Sequence, residues 1–130
     1  MKKGDIFTHL FFVNAKTQEG FINVFNDTNP LHTDDKYAKE KGFAHRVMHG
    51  NILNGFLSYF IGELLPIKNV IIYSQSIQFK NPIYLNEELH FEAIIDDIYE
   101  SVGAIEFNFV FKNLTRNQVA AKGKIQIGLL

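Results

Sequence analysis

The segment from Asn51 to Leu65, closed by Pro66, restricts the possible folds more than any other part of the chain. Ile52, Leu53, Phe56, Leu57, Phe60, Ile61, Leu64 and Leu65 recur at helical spacing and cover most of the circumference. A helix of that kind is tolerated only when protein surrounds it. Pro66 stops it, since proline has no amide proton and clashes with the preceding turn. Asn51, Gly55, Ser58 and Gly62 fall in one narrow stripe at roughly 100° per residue. One side of this helix therefore carries small side chains, which suits close packing of helix on sheet.

What surrounds the helix is written in period two. Ile71, Tyr73, Gln75, Ile77 and Phe79 alternate with Ile72, Ser74, Ser76 and Gln78, as a strand with one buried face requires. The alternation returns in Leu89, Phe91, Ala93 and Ile95, in Ile105, Phe107, Phe109 and Phe111, and in Val119, Ala121, Ile125, Ile127 and Leu129. Turn residues at Asn81-Pro82, at Leu85-Asn86, from Ser101 to Gly103 and from Asn113 to Asn117 separate the runs, so a meander of antiparallel neighbours is expected. The first half adds a strand over Ile6 to Val13 and a helix over Gln18 to Phe25 that stops before Pro30. Thr33 or Asp34 caps a short helix through Lys41, with Gly42 as its left-handed terminator. One apolar helix beside about five amphipathic strands calls for a curved antiparallel sheet wrapped around it, the α+β arrangement known as the hot dog. No repeat, linker or low-complexity stretch interrupts residues 1–130, which are read as a single domain.

Bulk chemistry narrows the function. A net charge of -1, with thirteen basic and fourteen acidic residues, gives no broad attraction to phosphate backbones or acidic membranes. Neither nucleic acid nor membrane is an expected partner. Cysteine is absent, which removes thiolate chemistry, and the apolar run within Met1 to Val13 is too short for a signal peptide, so a cytoplasmic protein is expected. Thirteen phenylalanines without a tryptophan make a core of large rings that need no buried hydrogen-bond partner, suited to an apolar ligand.

Asn26-Asp27-Thr28-Asn29-Pro30-Leu31-His32 places a carboxylate and an imidazole five residues apart across a turn stiffened by proline. Together they can handle protons: Asp27 is a base toward water, and imidazole exchanges its proton near neutral pH. As plain structure, the same residues are a helix-ending turn and the entry to the next helix, and the segment alone does not choose between the two. Met48-His49-Gly50 stands where the buried helix begins. A glycine there lets a carbonyl oxygen approach the backbone, while its amide and the helix dipole stabilise negative charge on that oxygen. A glycine there also simply permits tight entry to the helix.

Asp27, Asn29, Pro30, Leu31 and His32, then Phe43, His49, Gly50 and Leu53, then Gln75, Phe79, Lys80 and Pro82 together resemble the MaoC-like dehydratases, which include the (R)-specific enoyl-CoA hydratases. The likeness runs over roughly residues 5 to 128 at fold level. The resemblance implies that Asp27 and His32 are the catalytic pair and that the Gly50 amide polarises the thioester carbonyl of a 2-enoyl substrate. Asp27 would activate water for attack at C3, and His32 would hold that water and pass a proton toward C2. It further implies a homodimer, a substrate carried on coenzyme A or acyl-carrier protein, and no metal or redox cofactor. Two departures stand out: Phe25-Asn26 replaces the usual small residue and glycine before the aspartate, and Arg46 replaces a proline before the His-Gly pair. A hot-dog thioesterase and a silent acyl-binding subunit are the competing readings of the same fold.

For substrate contacts, Asn29 shapes the loop that presents the pair, and His49 and Leu53 flank Gly50. Leu57, Ser58 and Ile61 are expected to line an acyl tunnel along the helix. Lys80 is a candidate for the carrier's phosphates, as is Arg46. His45 and His49 have a helical metal-ligand spacing but no third ligand nearby, so no metal site is expected. His9 and His90, and the pairs Asp34-Asp35 and Asp96-Asp97, are read as surface residues.

Overall fold

A computed structural model describes residues 1–130. The strands are β1 (Ile6–Phe12), β2 (Val70–Phe79), β3 (Glu88–Tyr99), β4 (Ala104–Asn113) and β5 (Gln118–Leu129). They form one antiparallel sheet in the order β1-β3-β4-β5-β2. Helices α1 (Ala15–Phe25), α2 (Pro30–Thr33), α3 (Asp35–Glu40) and α4 (Ile52–Tyr59) precede β2, and α4 continues as one π-helical turn over Phe60–Leu64. This is the hot-dog architecture, and no helix is long and apolar enough to cross a membrane.

The expected meander holds for β3, β4 and β5 but not for β2, which pairs with β5 at the far edge instead of with β3. The link from β2 to β3 explains the difference. Ile83 and Tyr84 are buried within it, so this link is part of the core and carries the chain across the fold rather than around a tight hairpin. Buried Glu87 braces it, accepting from the Tyr84 amide at 2.7 Å and from Asn113 Nδ2 at 3.1 Å while pairing with Arg116. Tyr84 Oη in turn accepts the Ala44 amide at 3.1 Å, and Ile83 O accepts the Met48 amide at 2.8 Å. The strap from Phe43 to Gly50 is thereby fixed against the sheet.

Leu89, Phe91, Ala93 and Ile95 of β3 and Ile105, Phe107, Phe109 and Phe111 of β4 are all buried, as their alternation requires. Phe60 meets Phe7, Phe91 and Phe107 with centroids at 5.8, 4.9 and 5.4 Å, and Phe56 stacks on Phe11 at 4.3 Å. Each fully buried ring contributes about 1.5–3 kcal/mol, so these contacts seat α4 on the sheet. Two strands depart from their expected faces. In β5 the register slips between Phe111↔Ala121 and Lys112↔Val119, so Ala120 is inserted and buried while Val119 turns outward. In β2 an extra Tyr73 breaks the register with β5, and of the five residues expected to share a core face only Ile77 is even half-buried. As the edge strand, β2 meets α4 only at points such as Gln75 Nε2 donating to Asn54 Oδ1 at 2.9 Å, which is too little cover to bury a face.

Helix α4 is likewise covered on one side only: Asn51, Gly55, Ser58, Tyr59 and Gly62 are exposed, contrary to a helix surrounded by protein. The sheet is open and its concave face covers the Leu53, Leu57 and Ile61 side. Helix α1 begins earlier than expected, because Asn14 Oδ1 accepts the Thr17 amide at 2.9 Å and caps it. Asp34 caps α3, and Gly42 follows with φ +93°, both as expected.

Candidate active site

Asp27 sits just past the C-terminus of α1. Asn26 occupies the left-handed region at φ 58°, ψ 26° and closes the helix by donating its amide to Ile22 O. Asparagine is among the few residues other than glycine that adopt this conformation readily. The departure at Phe25-Asn26 therefore preserves the backbone that a glycine would supply. Asn26→Val should cost roughly 1–2 kcal/mol of stability, read as a lowered Tm, whereas Asn26→Gly should be nearly neutral.

From there the turn is held by its own side chains. Asp27 Oδ1 accepts the Asn29 amide at 3.2 Å, and Asn29 Oδ1 accepts the Leu31 amide at 3.0 Å at the start of α2. Asn29 thus shapes the loop, as expected. His32 lies on α2, its carbonyl accepting from buried Gln18 Nε2 at 3.0 Å. His32 Nδ1 is 2.7 Å from Val47 O. A carbonyl oxygen only accepts, so Nδ1 carries the proton and Nε2 is the ring's open position.

The strap brings His49 into the same place. Its ring lies 4.1 Å from that of His32 and 4.6 Å from Phe21, which in turn meets Phe25 at 4.8 Å. Asp27, His32 and His49 each present a ligand-type atom within 4.8 Å of the others. Two hydrogen bonds of about 2.8 Å span such a gap, so one water can bridge the Asp27 carboxylate and His32. The same three groups are within reach of a metal ion, with His32 Nδ1 and His49 Nε2 donating to carbonyls and the opposite ring nitrogens left as acceptors. His45, the other half of the spacing weighed for metal, is exposed and packs near Tyr84 at 6.0 Å, away from this group.

Gly50 stands at the head of α4, and its amide makes no backbone hydrogen bond. A side chain there would meet Phe79 Cε1 at 2.9 Å, so the aromatic ring rests directly on the glycine. Two cavities meet at Asn51. The smaller, of about 420 Å³, is lined by His32, Gly50, Leu53 and Phe79, with Lys80 and Asn81 also on its wall. The larger, of about 800 Å³, lies between α1 and α4; Asp27 borders it beside Phe21, Val24, Phe25, Ile52 and Phe56.

Not every expected residue converges here. Leu57 and Ile61 are buried in the core against the sheet, Ser58 points to the opposite, exposed side of α4, and none of the three lines either cavity. They do not form one channel within the chain. His49 is 3% exposed and lines neither cavity. Phe21, Phe25 and Asn51 also line these cavities, although no motif in the sequence marks them as ligand-facing. Arg46 acts through its backbone: its amide donates to Asp35 Oδ1 at 2.9 Å, a bond proline cannot make, and it holds the Asp35 carboxyl below its ordinary range.

Comparison with known proteins places this geometry among relatives. A 3-hydroxyacyl-[acyl-carrier-protein] dehydratase from Arabidopsis thaliana is 28% identical over 89 residues, covering 68% of this chain and 52% of that protein. An (R)-specific enoyl-CoA hydratase from Aeromonas caviae is 32% identical over 80 residues, covering 62% of this chain and 60% of that protein. The chain thus spans between about half and 60% of the length of these relatives. Among solved structures, the (R)-hydratase of A. caviae involved in PHA biosynthesis matches with a TM-score of 0.90 at 24% identity, over 100% of this chain and 98% of that one. A protein from Archaeoglobus fulgidus matches with a TM-score of 0.90 at 20% identity, over 100% and 80%. Both structures share the fold. Residues 12–113, from the last residue of β1 to the end of β4 and including Asp27, His32, His49 and Gly50, match the MaoC like domain, and the chain belongs to that family.

Proposed function

We propose that the protein is a cytoplasmic hydratase or dehydratase of acyl thioesters, interconverting a 2-enoyl and an (R)-3-hydroxyacyl group carried on coenzyme A or acyl-carrier protein. The observation that carries this reading is the approach of Asp27 and His32 to within one water's reach of each other, beside a glycine amide left without a partner at the head of α4. The names borne by the relatives agree with it.

The thioester carbonyl accepts the Gly50 amide, with the α4 dipole adding to the field on its oxygen. That polarises the double bond and makes C3 electrophilic. Asp27 removes a proton from the bridging water as its oxygen bonds to C3, while His32 Nε2 holds the same water. A proton delivered to C2 from the pair completes the addition, so Asp27 and His32 finish a turnover as they began it. Neither a metal nor a redox group enters this sequence. In the neutral imidazole of His32, the Nδ1 proton held by Val47 O leaves Nε2 as the acceptor that this role needs. The apolar cavity beside Asp27 suits the acyl tail better than the core positions Leu57 and Ile61 do, and the cavity holding Gly50 leads toward Lys80, suited to the carrier's phosphate end.

Assembly as a homodimer fits the sheet. Strand β2 pairs only with β5, and exposed Ile71 and Tyr73 lie along it, so a second copy would cover an otherwise open row of backbone groups.

Crotonyl-CoA and longer 2-enoyl thioesters, offered on both carriers, test the function. Loss of the conjugated thioester absorbance with formation of the (R)-3-hydroxyacyl product is the expected result. Release of free thiol without hydration would identify a thioesterase instead, and no change with any substrate would reject the reading.

A further inference from the structure

We infer that His49 is a positioning residue, which sets Asp27 and His32 in place without touching substrate; the inference rests on the function proposed above. Its Nε2–H donates to the main-chain carbonyl of Asp27 at 2.9 Å. That carbonyl accepts no backbone hydrogen bond, so His49 alone ties down the peptide that carries the Asp27 side chain. The ring is also packed between aromatic neighbours: its centroid is 4.1 Å from that of His32, with 31° between planes, and 4.6 Å from that of Phe21. Through Val47 and His49, the strap therefore fixes the proton of one working residue and the backbone of the other.

Packing does not account for a histidine here. With Nε2 as donor, Nδ1 keeps a lone pair, and that atom is buried with no partner. A buried acceptor left unmatched is a cost, which a phenylalanine of similar shape would not carry. The one polar bond the imidazole gains is the bond to Asp27. At 3% exposure the ring lies behind both cavity walls, where it reaches Asp27 and His32 rather than open space.

Two variants separate these roles. His49→Phe keeps the ring and loses the donor; His49→Gln keeps an N–H near the position of Nε2. For hydration of crotonyl-CoA, His49→Phe should lower kcat by about tenfold through misplacement of the reacting groups, with KM within about twofold of wild type and Tm unchanged. His49→Gln should recover most of the lost kcat. Equal loss in both variants, a rise in KM with kcat intact, or a fall in Tm that accounts for the lost activity would each overturn the inference. The Thr28 amide nitrogen shares its peptide bond with the Asp27 carbonyl, and its NMR shift reads the same bond without any substrate. It should move in His49→Phe and stay near wild type in His49→Gln; if it stays in both, His49 does not hold Asp27. Should wild type hydrate no enoyl thioester, the proposed function fails, and this shift still decides the role of His49.

Discussion

Asp27→Asn should lose between about a hundredfold and ten-thousandfold in kcat, the range by which a positioned proton-transfer group accelerates a reaction. The substitution is nearly isosteric. An asparagine Oδ1 still accepts the Asn29 amide, so the turn into α2 survives, and the side chain is 47% exposed, so little stability is at stake. What disappears is the capacity to take a proton from water. Because that interaction exists only as the reaction proceeds, kcat and kcat/KM should fall together while KM stays close to wild type. Initial rates of hydration across a substrate series measure both. His32→Ala should behave alike in kcat, and the double variant should lose little more than either single one, since the two groups act on one water. A variant of either residue that retains nearly full activity would remove the mechanism.

Gly123→Val should cost at least about 3 kcal/mol, at the upper end of what overpacking does, lowering Tm by roughly 10 °C. A Cβ at this position in β5 would lie 1.9 Å from the carbonyl oxygen of Ser76 in β2 and 2.9 Å from Phe109 Cζ. A flexible side chain can retreat from such a clash, but a paired strand cannot move without losing its ladder to β5. Thermal unfolding followed by circular dichroism gives the loss. As a control, Gly20→Ala on α1 meets nothing within 4 Å and should stabilise by about 0.5–1 kcal/mol, since alanine is the better helix former. Equal Tm values for the two variants would show that β2 is not held as described.

The central strands were readable because β3 and β4 have neighbours on both sides and a helix on one face, so their alternation is enforced. Edge position and bulges leave weaker marks. Tyr73 and Ala120 each add a residue to one strand of a pair, which reverses the facing of everything beyond, and nothing local in the sequence announces either insertion. At the site, Asp27, Asn29 and Gly50 were legible through turn and helix-start chemistry. The role of Val47 was not, because it works through a carbonyl oxygen that every residue possesses. Leu57, Ser58 and Ile61 show a different limit: helical periodicity tells which residues share a side, but the packing of α1 and the sheet decides which side meets a cavity.

One mechanical link follows from the way β2 ends. Its final residue, Phe79, leans on Gly50, and the next, Lys80, flanks the same cavity, while the strand's outer rim has no neighbour within the chain. A second copy seated along that rim, as proposed above, would pair with the same ribbon that ends at the Gly50 cavity, so the dimer seam and the proposed site would share one strand.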